Sequence, residues 1–582
     1  MSAFSISGYT QLGIGSNNPT VRNSQNRQIM SDLNWSRGAH DIKFGVNLLR
    51  LQNNILNDNA TIGNWTFNAQ YTGDGMADFL LGWSSQWGSS TIEQVNLRGW
   101  LPAAYVQDDW KISPGLTLNL GVRYEVGLPW YDTQGRMANL ILVNPTTATM
   151  ALAGNSGGYA NKSLVNVNSN GWEPRLGLAY QLTPKTVIRT GYGIYRTYFE
   201  PMGDTQFLSD NPPFAYQVTV TGSQTAAAVD LQQGPASNAV SLAHAMGLTF
   251  AQYPTTTPRA YAQQWNFNIQ QQLAPSWLLE VGYSGEKGVH LINRYDGNFA
   301  PPEPGNINAN RPIQTAVIPP SGDTVTPLGG IYQYHFNGNS NYQALVVSLE
   351  KRISGGLTWL TSYTWSKTMG DICSDSADGS STNCGFQDPL NMRAERSLDN
   401  QDMGQRFVSS VLYDIPLGRG RHFGAQLPAL ANAIVGGWTL GGIFTRHSGL
   451  PYTIIDNGNP ANTGSISIIS RPNLVGNPYS VPWSVGQAFN TAAFAAQPLY
   501  TYGSLGRNTM TLHDVTNLDL ILSKIFTITE RVHLQARFEV FNSTNTPPFT
   551  SAPGTTAGTG AFGVTSATGN PRQLQFGLKA MF

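Results

Sequence analysis

Charge is scarce in this chain of 582 residues. Asp, Glu, Lys and Arg together make up 12%, against roughly 25% in an ordinary soluble domain. A soluble protein with so little charge cannot coat its surface, whereas a wall with one face in lipid needs none there. Long apolar runs are also missing. No stretch approaches the ~18 residues that a transmembrane helix takes, and mean hydropathy is −0.23. That excludes helical spans and leaves spanning strands, which need only about 10 residues of alternating polarity. Charge of either sign is not in excess, with 34 basic and 34 acidic residues, so no nucleic-acid partner is implied.

Cysteine is nearly absent. Cys373 and Cys384 are the two present, both in one polar stretch. A disulfide closing an exposed loop is the preferred reading, with two free thiols as the alternative. Metal-ligand spacing is lacking among the eight histidines, and no ligand set accompanies the cysteines, so neither a metal nor a cofactor is expected. The start, Met1 to Ile6, has neither a basic nor an apolar signal-peptide region. The mature protein is therefore expected to begin further upstream, making residues 1–582 a single domain shortened at its N-terminus.

What is present is period-two alternation. Leu116, Leu118, Leu120, Val122 and Tyr124 alternate with Thr117, Asn119, Gly121, Arg123 and Glu125. Val532, Leu534, Ala536, Phe538 and Val540 alternate with His533, Gln535, Arg537 and Glu539, and the segment from His40 reads the same way. A sandwich core rejects charges on its second face, while a hydrated lumen accepts them. Connections sort into two sizes. Short turns fall at 36–38, 113–115, 183–185, 274–276, 354–356 and 527–530. Long segments rich in Gly, Asn, Ser, Thr and Pro fall at 53–99, 127–172, 197–258, 288–340, 369–403, 449–513 and 543–571. Such sorting predicts an all-β fold, a transmembrane antiparallel β-barrel with short periplasmic turns and long extracellular loops, in a bacterial outer membrane.

About sixteen strands are expected under that rule. They lie at 4–13, 26–37, 40–51, 100–112, 115–126, 173–183, 185–196, 259–273, 276–287, 341–353, 356–368, 404–415, 435–447, 514–526, 530–542 and 572–582. Residues 76–81 read as a single helical turn within the first long loop. Trp and Tyr gather near strand ends (Trp100, Tyr105, Trp110, Tyr124, Trp172, Tyr180, Trp277, Tyr283, Trp359, Tyr363, Trp365 and Trp438), where amphipathic rings form girdles at the headgroups. The chain closes on an alternating strand with Leu574, Phe576, Leu578 and Phe582 on one face. That pattern resembles the signal by which the barrel assembly machinery recognises its clients.

Chemistry-bearing motifs do not rise above background. Asp108 and Asp109 are adjacent, and neighbouring strand residues point to opposite faces, so the pair cannot act on one bond. The glycine-rich stretch 282–288 fits neither phosphate-loop pattern. No catalytic residue is expected, and the protein reads as no enzyme. The loops offer binding surface instead, with Tyr195, Tyr198, Phe199, Phe214 and Tyr216 in one segment and Tyr332 and Tyr334 in another as candidate ligand contacts.

Several phrases carry a family resemblance. They include Gly73–Gly82 (GDGMADFLLG), Tyr105–Lys111 (YVQDDWK), Leu118–Glu125 (LNLGVRYE) and Glu173–Gly177 (EPRLG). Ser362–Lys367 (SYTWSK), Gly437-Trp438, Ser448–Tyr452 (SGLPY) and Glu539–Asn542 (EVFN) follow. Together they resemble the barrel domain of Oar-like TonB-dependent transporters over nearly the whole chain. The resemblance implies a barrel of about 22 strands, preceded by a plug and a carboxypeptidase-like domain, neither of which is legible here. It implies energised uptake of a large or scarce solute, a glycan, peptide or metal chelate, with the TonB system acting through the absent plug. A passive porin-like channel and a surface adhesion or assembly protein acting through its loops are the alternatives.

Overall fold

The computed structural model describes all residues except 1, 8, 15–19, 58–62, 69–70, 155–157, 197–207, 222–226, 235–249, 373–385, 457–458, 464–468 and 550. Fifteen strands form one meander: β1 Thr20–Arg37, β2 His40–Asn57, β3 Glu93–Ser113, β4 Leu116–Glu125, β5 Trp172–Thr183, β6 Thr186–Arg196, β7 Tyr261–Ala274, β8 Trp277–Asp296, β9 Ile331–Ser354, β10 Leu357–Gly370, β11 Gln405–Asp414, β12 Trp438–His447, β13 Val515–Thr527, β14 His533–Phe541 and β15 Gln573–Met581. Each pairs antiparallel with the next. Among the described residues β1 pairs with β2 alone and β15 with β14 alone, so both edges of the sheet are open.

Alternation sorts side chains onto two faces, as the period of a strand requires. One face carries Phe44, Val106, Leu120, Leu176, Phe267, Val281, Leu345, Leu520 and Phe576, all exposed. Its opposite carries Asp32, Lys43, Asp109, Arg123, Glu280 and Glu286. Gly45 shows how tightly the polar face is fitted. A Cβ there would run into both the Asp32 carboxylate and the Tyr105 ring, which meet above it in a 2.7 Å hydrogen bond.

Several expected elements fall elsewhere. The strand expected at 4–13 is not part of the meander. Ala3–Ile6 pairs in parallel with Asn64–Phe67, because Ile6 is drawn into a hydrophobic cluster built by the loops. The connection from β11 to β12 runs over residues 415–437 and contains a helix, Ala429–Val435, so one junction at the turn end is long. Strands β3, β8 and β9 outrun their expected bounds, since backbone pairing continues past the apolar band into polar sequence. The helical turn is present as Gly75–Leu81, with the Asp74 carboxylate accepting from Ala77 N.

At the long-loop end the chain folds again. Two four-stranded sheets stand there. One joins Ala3–Ile6, Asn64–Phe67, Gln86–Ser90 and Gln217–Thr221, and the other Ala138–Asn144, Thr147–Leu152, Thr315–Ile318 and Asp323–Val325. Ile6, Phe67 and Trp87 from the first share a cluster with Leu140, Met150, Ile318 and Val325 from the second. Burial of each such side chain contributes about 1.5–3 kcal/mol, which is what holds loops of this length in one shape. A separate cluster of Tyr452, Ile454, Phe489, Leu505 and Met510 organises the C-terminal loops.

Candidate ligand-binding site

The polar face is a lattice of paired charges. Asp109 accepts from Asn119 at 2.6 Å and lies 3.8 Å from Lys43. Arg123 meets Glu125 at 2.7 Å, and Arg175 meets Glu173 at 3.3 Å. Gln264 and Gln270 donate to Glu286 and Glu280 at 2.7 and 3.0 Å. Asp108, one residue from Asp109, lies on the other face and bonds His40 Nδ1 at 2.7 Å. The two carboxylates are thus separated by the sheet, as adjacency in a strand demands. Among the described residues no three His, Cys, Asp or Glu side chains gather into a metal-binding group.

A concave feature lies in the C-terminal loops. Tyr452, Tyr479, Trp483, His513, Asp514 and Phe549 line a cleft of about 380 Å³. Pro451 and Tyr452 pair with Thr511 and Met510, which fixes one wall. Trp483 packs edge-on against His513 with centroids 4.4 Å apart and lies 4.7 Å from Phe549. Burial, with the nearby Tyr479 phenol adding to it, pushes the Tyr452 phenol up, so Tyr452 remains a neutral hydroxyl. Asp514 sits at the rim, 3.3 Å from Arg446. Ring faces beside a carboxylate and hydroxyls suit a flat or ring-shaped polar ligand.

The loop that carries Tyr452 and Trp483 is clamped to the loop after β10. Arg471 donates to both oxygens of Glu395, and its Nε donates to the Leu505 carbonyl at 2.9 Å. Arg507 donates to the Ser397 hydroxyl and to the carbonyls of Ile372 and Gly370. Every donor of this kind that a buried guanidinium satisfies offsets its desolvation.

A family model described as an outer membrane beta barrel domain matches residues 1–575. The chain belongs to that family. The barrel domain lies in the bacterial outer membrane, its apolar face toward lipid and its charged face toward the lumen. No curated protein matches it. Its fold is similar to that of the outer membrane transporter YddB from Escherichia coli, at 10% identity and a TM-score of 0.52. All of this chain aligns there, to 57% of that one. The ferripyoverdine receptor of Pseudomonas aeruginosa aligns over 97% of this chain and 48% of its own length, at 11% identity and a TM-score of 0.45. The siderophore receptor PiuA from Acinetobacter baumannii aligns over 97% and 56%, at 10% identity and a TM-score of 0.46. The barrel domain thus spans about half the length of the solved structures it matches.

With lipid and lumen assigned, the aromatic residues can be placed. Trp110, Trp277, Trp359 and Trp438 lie toward the turn end of the lipid face, and Trp172 and Trp365 toward the loop end. Tyr105 departs from that pattern, since it faces the lumen and bonds Asp32. The candidate contact residues do not converge. Tyr195 lies on the lumen wall beneath the Arg175 guanidinium, 4.8 Å away, in a hollow of about 180 Å³. Phe214 and Tyr216 pack against the loop core, Tyr334 is 1% exposed, and Arg294 covers the Tyr332 ring at 5.0 Å. Tyr198, Phe199, Cys373 and Cys384 lie outside the described residues. On β15, Leu574, Phe576 and Leu578 stand exposed on the lipid face, and Phe582 ends the chain. The cleft residues were not legible beforehand because they are scattered between positions 452 and 549. Only Tyr452 fell within a recognised phrase.

Proposed function

We propose that this domain is the wall and extracellular vestibule of an Oar-like TonB-dependent transporter, acting in energised uptake of a large or scarce solute. The observation that carries the reading is the aromatic cleft in loops that are folded and clamped, a preformed site on the outer surface. The barrel family and the fold shared with an outer membrane transporter support it. Further strands and a plug complete the ring in this scheme, in keeping with the open edges at β1 and β15. TonB then acts through that plug, and the barrel assembly machinery engages the Leu574, Phe576, Leu578 and Phe582 face. The ring-and-carboxylate lining favours a glycan among the candidate solutes.

The test is accumulation of fluorescent oligosaccharides by cells carrying the full-length protein, with and without TonB. Uptake that needs both the protein and TonB supports the proposal. Uptake that persists without TonB makes the domain a passive channel and overturns it.

A further inference from the structure

Residues 415–437 are anomalous for the end of the wall on which they lie. Other junctions at that end are tight, such as Gly355-Gly356 between β9 and β10, and β11 and β12 are adjacent antiparallel strands that need no more. The excursion contains no Asp or Glu, but Arg419, Arg421 and His422 stand in a row followed by Phe423. It folds back on itself, Phe423 N donating to the Pro416 carbonyl at 2.9 Å and Gly418 N to the Phe423 carbonyl at 2.8 Å. The helix Ala429–Val435 follows. Arg419 N donates to Asn432 Oδ1 at 2.6 Å, which joins the two parts.

This unit is fastened to the lipid side of the wall. Lys524 Nζ donates to the carbonyls of Ile434 and Gly436 at 2.8 and 2.6 Å, and Trp438 Nε1 donates to Ile434 O at 3.0 Å. Lys524 and Trp438 are a cross-strand pair on the same face as Leu520 and Leu522. The apolar side chains the unit presents are nevertheless uncovered, with Leu430 81%, Ile434 67% and Phe423 59% exposed.

We infer that residues 415–437 are an interfacial anchor that lies in the phospholipid headgroup layer of the periplasmic leaflet. The patch is continuous with the lipid-facing wall, so its apolar side chains reach the acyl boundary. The guanidinium groups of Arg419 and Arg421, with no acid in the segment to neutralise them, meet the phosphates. The inference rests on the turn end being periplasmic and not on which solute the protein takes up.

The experiment places a spin label at Leu430→Cys in the full-length protein, with Cys373→Ser and Cys384→Ser, in phospholipid bilayers. Labels at Leu440→Cys on the lipid face and Tyr479→Cys in a loop serve as references. The expected result is a Leu430 label relaxed by oxygen and shielded from a water-soluble nickel chelate, as at Leu440. A Leu430 label as open to nickel as the one at Tyr479 overturns the inference, and so does shielding from both agents, which means protein cover. Arg419→Glu with Arg421→Glu should lower Tm in vesicles containing phosphatidylglycerol and leave it unchanged in neutral detergent. An equal drop in both overturns the role of the headgroups.

Discussion

Arg471 grips Glu395 through two parallel hydrogen bonds, 2.7 and 2.9 Å long, across 76 residues of sequence. Both side chains are almost wholly buried, and together they join the loop after β10 to the one after β12. Removing one partner leaves an uncompensated buried charge, a loss of about 3–5 kcal/mol. Glu395→Ala should therefore open both loops to hydrogen exchange while the barrel strands stay protected. Protection of the loops equal to that of the native protein would contradict the clamp.

Gly503 is the backbone counterpart of that clamp. A Cβ there would fall inside the carbonyl of Arg471, so Gly503→Ala must displace the Arg471 backbone. The exchange pattern should match that of Glu395→Ala, and combining the two should add little, because both break one contact set. Full additivity would show that the positions act independently.

Asp456 gives the C-terminal loops a pH dependence. Burial raises its carboxyl pKa, and among the described residues Oδ2 has no hydrogen-bond partner. The folded state then holds its proton more tightly than the unfolded chain does. Its contribution is most favourable below the unfolded carboxylate pKa and is lost as pH rises through the folded one. Asp456→Asn removes this slope. The protection of loop amides in the variant relative to the native protein should rise as pH is raised above the ordinary carboxylate range, and a constant ratio would refute the assignment.

Trp483 supplies the central ring of the cleft, in contact with both His513 and Phe549. Trp483→Ala should weaken oligosaccharide binding by roughly tenfold or more, equivalent to ~1.4 kcal/mol. Tyr195→Ala, in the lumen hollow, should leave the equilibrium affinity of the outer site unchanged. Titration calorimetry on the purified protein decides between them.

Deleting Phe582 should lower the amount of heat-modifiable protein in outer membranes, since it ends the exposed apolar row of β15. An unchanged yield would remove the terminal strand from the list of assembly signals.

Much of the wall was legible because a strand's two faces leave a direct trace in sequence. The alternation at 116–125 gave the faces of β4, and adjacency alone separated Asp108 from Asp109. The loop-end sheets left no such trace. Ala3–Ile6 alternates as a spanning strand would, and only the burial of Ile6 among residues from distant loops decides otherwise. Tyr105 has the composition of a girdle residue, yet its position in the alternation puts it opposite Asp32. The cleft is assembled by long-range contacts between irregular segments, where no period exists to be read.

The open edges constrain anything that would complete the wall. β1 runs from the loop end toward its turn at residues 38–39, and β15, emerging from residues 542–572, runs the same way. Two strands of equal polarity cannot be neighbours in a ring that is antiparallel throughout. Such a ring accepts only an odd number of additional strands between β15 and β1, so that its total is even. Any candidate complement, from the same polypeptide or another, can be rejected on parity before a single contact is considered.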